Sequence, residues 1–392
     1  MLGLVLEGGG AKGSYQAGAI KALYEKGYKF DGVMGTSIGA INGALIAQND
    51  IEKCFELWEN IAPSKISDLD DEKLQKFFER KYDRQTLVYL FKVIKDIIFK
   101  KGIPTDKVMI LLKDLINEDI LRESKIDYGL VTVSLTDRMP IEIFKEEIPY
   151  GMLHDYIMAS AYFPAFRIDP IQGKKYLDGG AYDNLPINPL IRKGYDEIIA
   201  IRTMSNMPHQ RVVDDTVKIS YINPSDDVGG TISVYSQSIE KNMKMGYFDA
   251  KKLLENHKGE KFYFFSREEK DFYEFLIGLS DDIYFEWKEC LGIQEDLDKS
   301  KVIKRLFKVI RKELKRSYVL SDYEIFIYFL EKYAKKCGIE RYRIYNIEDF
   351  LSLMKEYYSK KNEQSGLKEY LKSFVFNSTM NNIFLALIKN YK

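Results

Sequence analysis

Two glycine loops near the start, each entered from an apolar run and each leading into a helical pattern, constrain this chain more than any other feature. Leu2 to Leu6 is apolar apart from Gly3 and runs into Gly8-Gly9-Gly10-Ala11-Lys12-Gly13. A second run through Phe30, Val33 and Met34 ends in Gly35-Thr36-Ser37-Ile38-Gly39. Strand, glycine turn and helix, given twice in succession, is how a parallel α/β sheet begins. Tyr15 to Lys26 supplies the first helix and Ile38 to Ala47 the second, whose small Gly39, Ala40, Gly43 and Ala44 permit close packing on a sheet.

In Gly35-Thr36-Ser37-Ile38-Gly39 the serine falls at a sharp strand-to-helix turn, and the flanking glycines keep side chains clear of the neighbouring strand and helix. Ser37 then sits at a helix N-terminus, where the dipole and free N–H groups favour developing negative charge. A tight turn with a capping serine reads the same way. Gly8-x-Gly10-x-x-Gly13 is formally a dinucleotide fingerprint, with Asp31 as the later acid. A ribose-binding acid belongs at the carboxyl end of the second strand, however, and Asp31 lies at its start. A phosphate-binding P-loop fails too, because Lys12 precedes Gly13 and Ser14. What remains is a run of side-chain-free amides beside a nucleophile, suited to a tetrahedral oxyanion.

Such a serine needs a base. The chain has His154, His209 and His257, none in a distinctive setting. An α/β-hydrolase orders serine, acid, histidine, so His209 or His257 formally qualifies, but that fold needs several strands and a helix ahead of its elbow, and here only one strand and one helix come before the elbow. Asp178 in Tyr176-Leu177-Asp178-Gly179-Gly180 is the better candidate: a carboxylate at a strand end, with two glycines leaving the backbone open beside it. A plain Asp-Gly hairpin turn is the alternative.

Taken together, Gly8 to Gly13, Gly35 to Gly39, Ala159-Ser160-Ala161-Tyr162-Phe163-Pro164 and Asp178-Gly179-Gly180 resemble the ordered blocks of the patatin-like phospholipases. The resemblance runs over about residues 1 to 255, with Gly246 to Ala250 looking like the closing helix of bacterial members, and leaves 256 to 392 uncovered. It implies a Ser37–Asp178 dyad without histidine, an oxyanion hole from the glycine loop (Gly8, Gly9, Gly10, with Ala11 and Lys12 beside them), and an acyl lipid, phospholipid or lysophospholipid, as substrate. No cofactor or metal is called for. Ala159 to Pro164 is expected to pack near the nucleophile rather than to take part in chemistry, and Pro164 to end the helix from Leu153.

The 392 residues, 45% of them hydrophobic, suffice for two domains. Lysine plus arginine matches aspartate plus glutamate at 59 each, so no global charge draws the chain to nucleic acid. Cys54, Cys290 and Cys337 are scattered and lack metal-ligand spacing, which suits reduced thiols in a cytoplasmic setting. The first residues carry no basic stretch and Leu2 to Leu6 is needed as a strand, which argues against a signal peptide. No apolar run is long enough to span a bilayer, so membrane contact is expected to be peripheral.

The expected architecture is a three-layer α/β/α sandwich over residues 1–260 with a largely parallel sheet, followed by an all-helical domain over 261–392. Residues 61–104 read as a helical insertion, a charged loop from Asp68 to Glu72 and then apolar spacing from Leu87 to Ile98, which serves equally as a lid or a surface hairpin. Further strands are expected at 126–136, 141–144, 197–203 and 217–222. Helices are expected at 268–278, 296–316, 321–337, 347–361 and 367–389, with Ser321 and Asn346 as caps and Gly338 ending the third. The stretch Lys301 to Arg316 sets eight basic residues around an apolar stripe. That pattern suits an anionic membrane surface, and equally a helix that buries its stripe in a bundle. The rivals to a serine acyl hydrolase are a catalytically silent interaction module and a dinucleotide-binding oxidoreductase.

Overall fold

In a computed structural model of the chain, the described residues are all except 67–69, 79–82, 100–101, 164–165, 233, 295–296, 316–318, 336, 366–377 and 392. They form two compact units, Met1–Lys251 and Lys252–Lys392.

The first unit is built on strands β1 (Leu2–Leu6), β2 (Gly32–Thr36), β3 (Asp127–Ser134), β4 (Met139–Phe144), β5 (Tyr176–Asp178), β6 (Glu197–Ile201) and β7 (Lys218–Ile222). Their order across the sheet is β4-β3-β2-β1-β6-β7, and β5 joins β3 off that path. All neighbours run parallel except β3 with β4 and β3 with β5. Helix α1 (Gly13–Glu25) follows β1 and α2 (Ile38–Ala47) follows β2.

Period-2 alternation buries both sheet faces. Tyr128 and Leu130 pack with Ala40, Ala44 and Leu45 of α2 and with Ile157 of the helix Leu153–Ser160. Val5, Met34 and Val131 face the other way, against Leu185, Leu190 and Tyr195. These are the three layers anticipated, with the sheet's parallel strands in the middle.

One detail of register positions the site. Residues Gly32–Thr36 of β2 pair with Asp127–Val131 of β3. The next residue of β3, Thr132, pairs with Asp178 of β5, while β4 occupies the opposite edge of β3 throughout. Strand β5 therefore continues, in antiparallel sense, the slot that β2 leaves at Thr36.

The insertion holds the helices Pro63–Ile66, Asp71–Phe78 and Arg84–Phe99. Asp71 and Glu72, expected in a charged loop, form the acidic first turn of a helix, a placement the helix dipole favours; Asp68 lies outside the described residues. The helix from Leu153 ends at Ser160, and Pro164, expected to end it, is outside the described residues.

The second unit is helical over Glu269–Ile277, Asp281–Cys290, Lys299–Leu314, Asp322–Ala334, Ile347–Ser365 and Ser378–Asn390. It also carries one two-residue parallel pair, Tyr263–Phe264 with Ile344–Tyr345, that an all-helical reading omits. The helix Asp281–Cys290 is absent from the sequence reading, because Ile283, Tyr284 and Trp287 give it only one short buried stripe. Ser321 does cap its helix, in a full capping box with Glu324. Gly338 lies beyond the end of that helix, which stops at Ala334.

The basic helix closes one open question. Val302, Ile303, Leu306 and Ile310 are fully buried in the aromatic core of this unit, alongside Phe272, Phe326 and Phe329. The stripe is spent on packing, and Lys301, Lys304, Arg305, Lys308, Lys312 and Lys315 stay on the outside. Arg316 lies outside the described residues, as does 367–377 of the last expected helix.

Candidate active site

Ser37 stands between β2 and α2 with φ 57° and ψ −123°, a left-handed conformation that costs a non-glycine residue of order 1–3 kcal/mol. The surroundings enforce it. A Cβ on Gly35 would lie 2.2 Å from the Gly39 carbonyl oxygen, and one on Gly39 would lie 2.3 Å from the Leu6 oxygen. Strand, turn and helix thus approach backbone to backbone, and only glycine fits on either side of the serine. The Ser37 N–H donates to the buried Ser160 Oγ at 2.9 Å, and Thr36 Oγ1 donates to the Asp183 carbonyl at 2.8 Å, so both sides of the turn are tied down.

The Ser37 hydroxyl donates to Asp178 Oδ2 at 2.7 Å. The other carboxylate oxygen of Asp178 accepts the Gly180 N–H at 2.8 Å. Burial pushes the Asp178 carboxyl up to about 6, against the opposing pull of the Ser37 and Gly180 hydrogen bonds. At neutral pH it is largely ionised and, for a carboxylate, unusually ready to take a proton.

The glycine loop has its own division of labour. The Gly8 N–H donates to the Asn184 carbonyl at 3.0 Å, that of Ala11 to the Thr231 carbonyl at 2.8 Å, and that of Lys12 to the Gly9 carbonyl at 3.3 Å. Of the five expected donors, then, Gly8, Ala11 and Lys12 have their amides engaged within the protein. Among the described residues, Gly9 and Gly10 N–H have no acceptor, and both residues are partly open to solvent, as is Ser37. The Lys12 ammonium reaches the Thr203 carbonyl at 3.4 Å.

The other sequence candidates fall elsewhere. Asp31, the acid of the dinucleotide reading, accepts the Leu2 N–H at 2.8 Å, at the amino ends of the parallel strands and so at the end opposite the glycine loops. His154 Nε2 lies 2.8 Å from the Ile116 carbonyl, and His257 Nε2 lies 2.8 Å from Glu255. His209 is exposed. Asn184, Thr203 and Glu7, none of them singled out by motif, surround the glycine loop. Ser160 lay within a block read as packing, and its hydroxyl accepts the N–H of Ser37.

Fold and site together define an α/β protein whose glycine-flanked serine is paired with a carboxylate. Residues 4–191 match the family model described as patatin-like phospholipase. The chain is 29% identical over 237 residues to the neuropathy target esterase sws of Drosophila melanogaster, covering 60% of this chain and 14% of that protein. It is 28% identical over 204 residues to the patatin-like phospholipase domain-containing protein 7 of Rattus norvegicus, covering 51% and 13%. A 48-residue stretch is 60% identical to the lysophospholipase nte1 of Aspergillus terreus, covering 12% and 3%. The matched stretches are thus a minor part of those much longer relatives. Among solved structures, VipD from Legionella pneumophila aligns over 99% of this chain and 90% of its own, at 16% identity and a TM-score of 0.40.

Proposed function

We propose that the chain is a serine acyl hydrolase of lipid esters, of the phospholipase A or lysophospholipase kind, working through Ser37 and Asp178. The observation that carries this reading is the 2.7 Å hydrogen bond from a strained, glycine-flanked serine to a buried carboxylate. Asp178 takes the hydroxyl proton as Ser37 Oγ bonds to the ester carbonyl carbon, and the carbonyl oxygen becomes an oxyanion facing the Gly9 and Gly10 N–H groups. The C–O bond to the leaving alcohol then breaks, and Asp178 returns the proton to that alcohol. Water repeats the sequence on the acyl-enzyme, with Asp178 again the base, and releases the fatty acid and the free serine. Every proton is accounted for by these groups and water. The lipid as substrate class is supported by the family model that residues 4–191 match and by relatives named as esterase and lysophospholipase.

Among the described residues no helix is long and apolar enough to cross a membrane. In this reading a lipid ester is met at a lipid surface. With the stripe of the Lys301 helix buried, the contact is assigned to the helix Arg84–Phe99, which exposes Leu87 (47%), Val88 (63%) and Phe91 (77%) beside exposed Arg84, Lys92 and Lys95. Apolar side chains ringed by cations suit an anionic bilayer.

A fluorophosphonate probe followed by peptide mapping tests the reading. Labelling at Ser37, abolished in Ser37→Ala, is the expected result. A probe that leaves Ser37 untouched while the protein is folded overturns it.

A further inference from the structure

The direction of a backbone N–H is fixed by the carbonyl one atom before it, because a trans peptide is planar and its C=O and N–H point opposite ways. The Gly9 N–H is therefore aimed by whatever holds the Gly8 oxygen. Two side chains hold it: Thr203 Oγ1 donates at 2.7 Å and Asn184 Nδ2 at 3.3 Å. Both residues are buried, and both contact the loop so closely that side chains on it would not fit. A Cβ on Gly9 would lie 2.7 Å from Thr203 Oγ1, and one on Gly8 would lie 2.3 Å from Asn184 Oδ1.

Those two residues are themselves held by one carboxylate, Thr203 through its backbone and Asn184 through its side chain. Glu7, only 1% exposed, accepts the N–H of Thr203 at 2.6 Å, of Met204 at 3.2 Å and of Ser205 at 3.2 Å, and the second proton of Asn184 Nδ2 at 3.3 Å. Arg202 Nε lies 3.8 Å away as its counter-charge. Asn184 also binds the Gly8 N–H through its own carbonyl, and its Oδ1 fills the space beside Gly180, whose N–H holds Asp178. One buried cluster thus grips the glycine loop on one side and the carboxylate's loop on the other.

We propose that Thr203 and Asn184, anchored by Glu7, are positioning residues that aim the Gly9 N–H at the oxyanion. The inference rests on the serine-hydrolase reading above. Hydrogen bonds to the Gly8 oxygen do two things. They remove the rotation that would turn the Gly9 N–H away, and they polarise the shared peptide so that its N–H donates more strongly. Neither effect matters to a bound ester in its ground state; both matter once charge develops on the carbonyl oxygen.

The test is Thr203→Val, which keeps the side-chain shape and removes the hydroxyl, with Thr203→Ser as the variant that restores it. Turnover is normalised to the Ser37 sites titrated by fluorophosphonate, on a soluble short-chain ester. Affinity for a trifluoromethyl ketone, which forms an oxyanion on the serine, is measured beside affinity for the corresponding alcohol, which cannot. Thr203→Val should lower kcat about 10- to 100-fold with KM within about twofold, and weaken the ketone by a similar factor while sparing the alcohol. Thr203→Ser should recover most of both. Should the valine variant not fold, Thr203→Ala gives the same reading. Wild-type kcat in a hydroxyl-free variant, or ketone and alcohol affinities that fall together, overturns the proposal. A wild-type protein that neither labels nor hydrolyses refutes the hydrolase reading instead, so the two failures are distinct.

Discussion

Ser37 and Asp178 are hydrogen-bonded across 141 residues of chain because Asp178 sits where the next residue of the serine's own strand would lie. Thr36 pairs with Val131, and Thr132, one step further along β3, pairs with Asp178. The serine turns out of the sheet into α2, and the carboxylate enters the vacated place from the other direction. Their separation is set by sheet geometry, about one strand residue, rather than by loop conformation.

The strained turn makes a prediction about stability. Glycine at position 37 adopts φ 57° freely, so Ser37→Gly should raise the unfolding free energy by about 1 kcal/mol, whereas Ser37→Ala should leave it unchanged or slightly lower. Both variants should lose ester hydrolysis. Thermal melts of the two beside wild type check this, and a glycine variant less stable than the alanine one would show that the serine's conformation is not strained.

In the proposed mechanism Asp178 links activity to pH. Its carboxyl titrates at about 6, so kcat/KM on a soluble ester should fall tenfold for each pH unit below that value as the base is protonated. Replacing His154, His209 and His257 together by Gln should leave this limb in place. An acid limb that vanishes with the histidines would make one of them the base.

The same group runs against stability. Its folded value, about 6, lies above the unfolded 3.8, so between those values the folded state binds the extra proton and stability falls as pH rises through the interval. Above pH 6 the buried charge is carried at a cost of up to about 3 kcal/mol. Asp178→Asn removes it, and should therefore melt higher than wild type at pH 7.5, match it near pH 4, and lose about 10²- to 10⁴-fold in activity. Equal melting temperatures at both pH values would contradict the elevated carboxyl.

The proposed lipid contact of the helix Arg84–Phe99 is tested by sedimentation with phosphatidylglycerol vesicles. Val88→Asp with Phe91→Asp should reduce binding even at high salt, because apolar insertion is not screened. Lys304→Glu with Lys308→Glu should matter only at low salt, since those cations lie over a buried stripe. Unchanged binding by the aspartate pair would remove Arg84–Phe99 from the lipid interface.

How much of this could be read from the sequence depended on whether the signal was local. Helix α2 falls on Ile38–Ala47 as expected and β1 on Leu2–Leu6, because glycine turns and apolar runs act on their own neighbours. Ser37 and Asp178 were legible as types in the right setting, and as a pair through the resemblance of the ordered motif blocks, but the way they meet was not, since it is made by the register of β3. Asn184, Thr203 and Glu7 gave no signal: a polar residue buried by chain from elsewhere has no periodicity. The Lys301 helix shows the converse limit. Its spacing states that one face is buried, but lipid and a protein core impose the same period, and only the second unit's aromatic core decides between them.

Because the carboxylate arrives in the serine's row from a strand so much later in the chain, the two groups also meet late in time. A ribosome releases Ser37 long before Tyr176–Asp178, and the sheet row cannot be completed until β3 is laid down and β5 has returned to it. A stalled or broken chain that lacks β5 carries the serine without its proton acceptor. If the proposed hydrolysis runs through this pair, it would be withheld from every incomplete copy.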